Sequence, residues 1–231
     1  MRRVYKKVET RRVDGGWGLA LDGRGMRTPG RNALVLPSEK LAAAVAAEWD
    51  AQEDEIRPAT MPLFRLAATT IDRTGPLRQA VVREIANYAG TDLVCYRAER
   101  PPALAARQEA VWQPLIDWAT RRYDAALTVT SGVLPTPQPA ATLAAFAAAV
   151  AAQDDFRLTA LHGLTAASGS LVIALALLEG RLDADEAFAA SQLDETFQIE
   201  AWGEDAEAAR RREALAADIA AAARLLELLI P

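Results

Sequence analysis

The sequence predicts an α+β fold: a small antiparallel, β-rich N-terminal domain over residues 1–37, with an extension to about 60 left open, then an all-helical domain over 38–231. Three observations carry this. Between Val8 and Leu36 the apolar period is two, with Trp17, Leu19 and Leu21 alternating with small or polar residues. Asp14-Gly15-Gly16 and Asp22-Gly23 interrupt that stretch as hairpin turns, because glycine takes the positive φ that a two-residue turn requires. From Ser38 onward the apolar residues recur every three or four positions and alanine is abundant, which is the pattern of packed helices.

The first region reads as three or four short strands, closed by Leu34-Val35-Leu36 before Pro37. Ser38 is placed to cap a first helix whose inner face is Leu41, Val45 and Trp49. Pro58 and Pro62 punctuate the next loop. Two helices are expected over 63–72 and 76–88, the second with Leu77, Val81 and Ile85 inward. Pro101-Pro102 opens a longer helix to Tyr123, with Leu104, Val111, Leu115, Trp118 and Ala119 inward and a kink at Pro114. Pro135, Pro137 and Pro139 mark a loop, followed by an alanine-rich helix carrying Phe146 and Val150. Asp154 and Asp155 start the next. The run Leu171 to Leu178 is too short for the ~20 residues that span a bilayer, so it reads as a buried helix. Asp183 and Glu186 form a capping-box pattern at the head of a helix expected to run from Ala184 to Trp202. Asp205 caps a final helix with the seam Leu215, Ile219, Ala222, Leu226 and Leu229.

Composition excludes several functions. The net charge is −5 and the pI about 5.1, which disfavours non-specific binding to nucleic acid or an anionic membrane. Arg121-Arg122 and Arg210-Arg211-Arg212 read as solvated helix faces. One cysteine, Cys95, and one histidine, His162, cannot build the usual zinc sites, and one cysteine forms no internal disulfide. A Cys95–His162 nucleophilic pair requires the two to meet in space. Otherwise Cys95 is a small buried hydrophobe and His162 a core histidine. Gly16-Trp17-Gly18 lacks the third glycine of a dinucleotide fingerprint, and no G-x-x-x-x-G-K-[ST] occurs, so nucleotide-driven action has no support in the sequence. Met1 to Lys7 shows no apolar targeting core and leads directly into strand-like sequence.

One constellation stands out. The stripe Phe188, Gln192, Glu195, Ile199 and Trp202 is apolar at three of five positions and carries a carboxylate at its centre. A second stripe, Leu193 and Phe197, is available for the core. Glu195 can bend to water, pair with a cation of its own domain, or await a donor from a partner. A catalytic use of Asp194, Glu195, Glu200 and Asp205 as paired carboxylates needs a cleft that shifts their pKa values. The alternative function is therefore an enzyme or small-molecule-binding protein with a carboxylate-lined cleft near Glu195.

The string Leu193-Asp194-Glu195-Thr196-Phe197-Gln198-Ile199-Glu200-Ala201-Trp202-Gly203-Glu204-Asp205 resembles the assembly chaperones of the F-type ATP synthase catalytic head. So do Leu21-Asp22-Gly23-Arg24 with Thr28-Pro29, the segment from Leu36 to Gln52, Met61-Pro62-Leu63, Thr91 to Arg97, Trp112 to Trp118 and Leu171 to Leu182. The resemblance is loose between Tyr123 and His162. It implies a β-rich N-terminal domain, a helical domain, no cofactor, no nucleotide hydrolysis, and the free alpha subunit as client until the beta subunit displaces it. Glu195, Gln198 and Trp202 are the partner-binding residues it implies. It also implies the bacterial cytoplasm, or the mitochondrial matrix for a processed eukaryotic form.

Overall fold

The computed structural model describes residues 2–132 and 134–230 and divides into two units. The first comprises Met1–Arg78 with Ala221–Pro231, the second Gln79–Ala220.

In the first unit β1 (Val8–Val13), β2 (Gly16–Leu21) and β3 (Arg24–Gly25) form an antiparallel sheet in the order β1-β2-β3. The register pairs Val8 with Leu21 and Val13 with Gly16. Both expected turns are present. At the second, Asp22 and Gly23 have φ of 47° and 79°, the geometry of a two-residue turn with both central residues left-handed. Trp17 and Leu36 exchange backbone hydrogen bonds of 2.8 and 2.7 Å, which closes the region on its far side.

α1 (Glu39–Asp50) packs on this sheet, buries Leu41, Val45 and Trp49, and is capped by Ser38, whose Oγ accepts from the Leu41 N–H at 3.0 Å. α2 (Pro62–Thr69) has no cap of its own. Glu48 of α1 supplies one, its two carboxylate oxygens accepting from the Leu63 and Phe64 N–H groups at 2.8 Å each. Half-burial raises the Glu48 pKa, and those two bonds oppose the rise. After α2 a wider helical turn, Thr70–Thr74, carries Asp72 back to the sheet end of the unit. There its carboxylate accepts from Thr28 Oγ1 (2.6 Å), Gly30 N (2.8 Å) and Asn32 Nδ2 (2.8 Å). A Cβ at Gly30 would lie 2.6 Å from this carboxylate, so the position admits only glycine without rearrangement.

The second unit is built around α7 (Leu171–Leu178). Eight residues are too few for an isolated helix to persist in water, yet Leu171 through Leu177 are all buried. Burial of each large side chain contributes about 1.5–3 kcal/mol, against about 1–2 kcal/mol per residue to order the backbone, so packing decides this helix. α6 (Asp155–Ser168), α8 (Ala184–Ser191) and α4 (Pro102–Tyr123) surround it. Asp92 fixes its start: fully buried, it accepts from Val94 N (3.2 Å) and Val172 N (3.0 Å) and from the Ser170 side chain. Desolvation raises its pKa to about 6, with those hydrogen bonds pulling the other way. α3 (Arg78–Asn87), α5 (Ala140–Ala151), α9 (Leu193–Trp202) and a short parallel pair, β4 (Tyr96–Arg97) with β5 (Thr130–Ser131), complete it. α10 (Ala206–Leu228) begins in this unit and ends in the first.

The structure departs from the sequence expectations at several places. The helix expected over 76–88 starts at Arg78, and Leu77 is exposed rather than inward. On α4, Gln108, Trp112 and Ile116 are buried where Val111 was expected, and Val111 faces solvent. The seam of α10 is Ile219, Ala222, Leu225 and Leu228, a step of three that drifts around the helix, while Leu226 and Leu229 are only half-buried.

Candidate functional site

The helix expected from Ala184 to Trp202 is two helices. α8 ends at Gln192, whose φ of −104° and ψ of 20° leave the helical region, and α9 starts at Leu193. The break has a tertiary cause. The buried Trp112 indole N–H donates to the Ala190 carbonyl at 2.9 Å, taking the acceptor that a continuous helix would offer to residue 194. The capping box of α8 is present as expected, with Glu186 N donating to Asp183 (2.8 Å) and Asp183 N to Glu186 (3.0 Å).

α9 is held on two sides. Toward α4, Gln108 Nε2 donates to Asp194 at 2.8 Å, and Arg107 forms a bidentate pair with Glu200 at 3.0 and 2.9 Å. The Arg107 guanidinium also lies over the Phe197 ring, 5.5 Å from its centroid. The bond from Arg107 lowers the Glu200 pKa. Toward α10, Arg212 reaches Thr196 Oγ1 (3.1 Å), pairs with Glu204 (3.2 Å) and covers Phe188 (5.3 Å). Thus Arg212 is not part of a solvated face; it clamps α8 and α9 together. Asp205 caps α10, accepting from Glu207 N and Ala208 N at 2.8 Å each, and those bonds lower its pKa.

What remains of the predicted stripe follows from helical geometry. At 100° per residue, Glu195, Gln198 and Trp202 fall within roughly 60° of one another, opposite the buried Leu193. Phe188 and Gln192 no longer belong to that face, because they lie before the break and meet Arg212. Trp202, the last residue of α9, is 79% exposed. Gln198 is exposed and Glu195 half-buried. The Glu195 carboxylate makes no hydrogen bond or ion pair with any described residue, so of its three possible fates the intramolecular pair is ruled out. The carboxylates Asp194, Glu200 and Asp205 are each committed to different structural partners.

Two clefts adjoin α9. One, of 530 Å³, is lined by Val111, Leu115, Leu182 and Leu193 among others; the second, of 690 Å³, by Arg97, Gln108 and Asp194 among others. Glu195 lines neither. Cys95 is buried, with its thiol pushed up to about 12 by burial and then by the Asp92 charge, and His162 sits 3.3 Å from Glu84. The two do not form a nucleophile–base pair. Among the described residues no cluster of three metal-ligating side chains occurs, and no helix is long and apolar enough to cross a membrane.

A small antiparallel sheet unit and a larger helical unit, with an open, mixed apolar and acidic face on α9, make this an α+β protein. Comparison with known proteins narrows this. The family model for the ATP12 chaperone protein matches residues 2–120. The crystal structure of Atp12 from Paracoccus denitrificans is 43% identical and superposes with a TM-score of 0.95, over 99% of this chain and 98% of that one. The Atu1473 protein of Agrobacterium tumefaciens is 42% identical with a TM-score of 0.94, over 99% of this chain and 86% of that one. Among curated proteins, the mitochondrial protein atp12 of Schizosaccharomyces pombe is 23% identical over 214 residues, 87% of this chain and 74% of the relative. The chain belongs to the ATP12 family, chaperones of ATP synthase assembly.

Proposed function

We propose that this protein passively holds the free alpha subunit of the ATP synthase catalytic head until the beta subunit displaces it, and that the outward face of α9 makes the contact. The observation that carries this reading is a half-buried, unpartnered Glu195 on the same helix face as a 79% exposed Trp202. A solvent-facing tryptophan at a rigid helix end is the side chain that most often anchors a protein interface. A carboxylate beside it selects for a donor on the client and against a wrong partner. Gln198, between them, offers both a donor and an acceptor.

The mechanism needs no nucleotide, no cofactor and no covalent step. The holder shields apolar client surface with an affinity below that of the final subunit interface, and competition then drives release. α9 suits this task because its own anchorage to α4 and α10 is complete without the client, so binding orders little of the holder. The bacterial cytoplasm is the compartment this role implies, or the mitochondrial matrix for a processed form.

The test is capture of isolated alpha subunit by the purified protein, with Glu195→Ala, Gln198→Ala and Trp202→Ala variants. Trp202→Ala is expected to weaken capture at least tenfold, a loss of about 1.4 kcal/mol or more. Addition of beta subunit is expected to release the client. Wild-type binding by all three folded variants would remove the α9 assignment, and turnover of a metabolite without client binding would remove the function.

A further inference from the structure

The charge of the chain is strongly uneven. Residues 1–31 hold nine Arg and Lys against three Asp and Glu, a net of +6, which leaves −11 to the rest of a chain whose total is −5. The basic segment contains a sheet edge. Lys7 and Asp22 share a backbone bond of 3.0 Å from Asp22 N, and Leu19 accepts from Met26 N on the other side of β2 at 2.8 Å. Antiparallel pairing alternates, so in β1 the N–H and C=O groups of Lys7, Glu9, Arg11 and Val13 point to β2. Those of Val8, Thr10 and Arg12 point outward, and no described residue takes them up. Thr10, Arg11 and Arg12 are exposed. Of the neighbouring acids, Glu9 is paired with Lys7 at 2.7 Å and Asp22 is engaged by the Lys6 and Lys7 N–H groups.

We propose that the outer edge of β1 receives an extended, acidic segment of the client polypeptide as an added strand. Val8, Thr10 and Arg12 supply three outward N–H and C=O pairs for main-chain pairing, and the surplus of Arg11, Arg12 and Lys6 selects carboxylates in the incoming strand. The inference rests on the proposed function for the identity of the client, and it adds a contact distinct from α9. An edge rich in arginine also discourages pairing between copies of the chain, since like charges would meet. The edge is thus closed to itself and open to an acidic strand.

The experiment measures the affinity of the full-length protein for isolated alpha subunit. Thr10→Pro removes one outward N–H while leaving every bond to β2, a site where an edge strand tolerates proline. Thr10→Pro and the double variant Arg11→Glu/Arg12→Glu are each expected to weaken binding at least tenfold, with Thr10→Val unchanged. Hydrogen exchange on the wild-type complex gives a second reading that needs no variant: the amides of Val8, Thr10 and Arg12 are expected to slow on binding. Unchanged exchange at those amides, or full affinity in folded Thr10→Pro, overturns the edge contact while the holding function stands. A wild-type protein that binds no alpha subunit overturns both. Arginine-dependent binding of single-stranded DNA or of phosphatidylserine vesicles at 0.15 M salt, in place of the alpha subunit, assigns the basic face to those ligands and overturns the proposal.

Discussion

Replacing Asp92 with asparagine isolates the contribution of one buried carboxylate to the helical unit. Burial moves its pKa from the ordinary 3.8 to about 6. A raised carboxylate pKa stabilises the folded state while the group is protonated. The contribution, about 3 kcal/mol for that difference, is therefore complete below pH 4 and is lost as the pH rises through about 6. Asparagine titrates nowhere in this range, and its NH₂ faces donors, so it forfeits one acceptor at every pH, at about 1–3 kcal/mol. The wild type should exceed Asp92→Asn in stability by about 2 kcal/mol more at pH 4.5 than at pH 7.5. Urea unfolding at the two pH values measures this as a change of about 1 M in the separation of the midpoints. Other carboxylates are common to both proteins and cancel in the difference. A separation that is constant with pH, or that narrows toward acid, refutes the reasoning, the second outcome meaning that the hydrogen bonds from Ser170, Val172 and Val94 outweigh desolvation.

Further outcomes follow from the same contacts. Glu48→Ala leaves the Leu63 and Phe64 N–H groups without their cap and should cost about 1–3 kcal/mol in chemical unfolding. Gly30→Ala places a methyl against the Asp72 carboxylate 2.6 Å away and should cost a similar amount, with Gly30→Ala/Asp72→Ala less than additive in a double-mutant cycle. Arg107→Ala breaks an exposed, solvent-screened ion pair and should leave the global unfolding midpoint nearly unchanged. It should nevertheless speed hydrogen exchange in α9, where Phe197 loses its cover.

Much of the fold was legible because its signals are local. The Asp22-Gly23 turn, the caps at Ser38, Asp154, Asp183 and Asp205, and the apolar run at Leu171 each act within a few residues, and each appears where the sequence places it. The break at Gln192 was not legible, because no glycine or proline marks it; its cause is an indole from residue 112. The same holds for Glu48 and Asp92. Each accepts backbone N–H groups from distant segments, and nothing in the neighbouring residues distinguishes such an acid from a solvated one. For α9, spacing alone places Glu195 and Trp202 on one face, whereas Gln198 came only from the family resemblance. The residues that leave that face free, Arg107, Gln108 and Arg212, could not be found from spacing, and Arg212 sat within an arginine triplet that reads as solvated.

The last helix closes the first unit, and this orders events during synthesis. The sheet, α1 and α2 leave the ribosome well before Leu225 and Leu228, which are buried core of the same unit. At about 5–20 residues per second, the N-terminal piece waits on the order of ten seconds for them. A member of a chaperone family thus has a first unit that stays incomplete until α10 emerges.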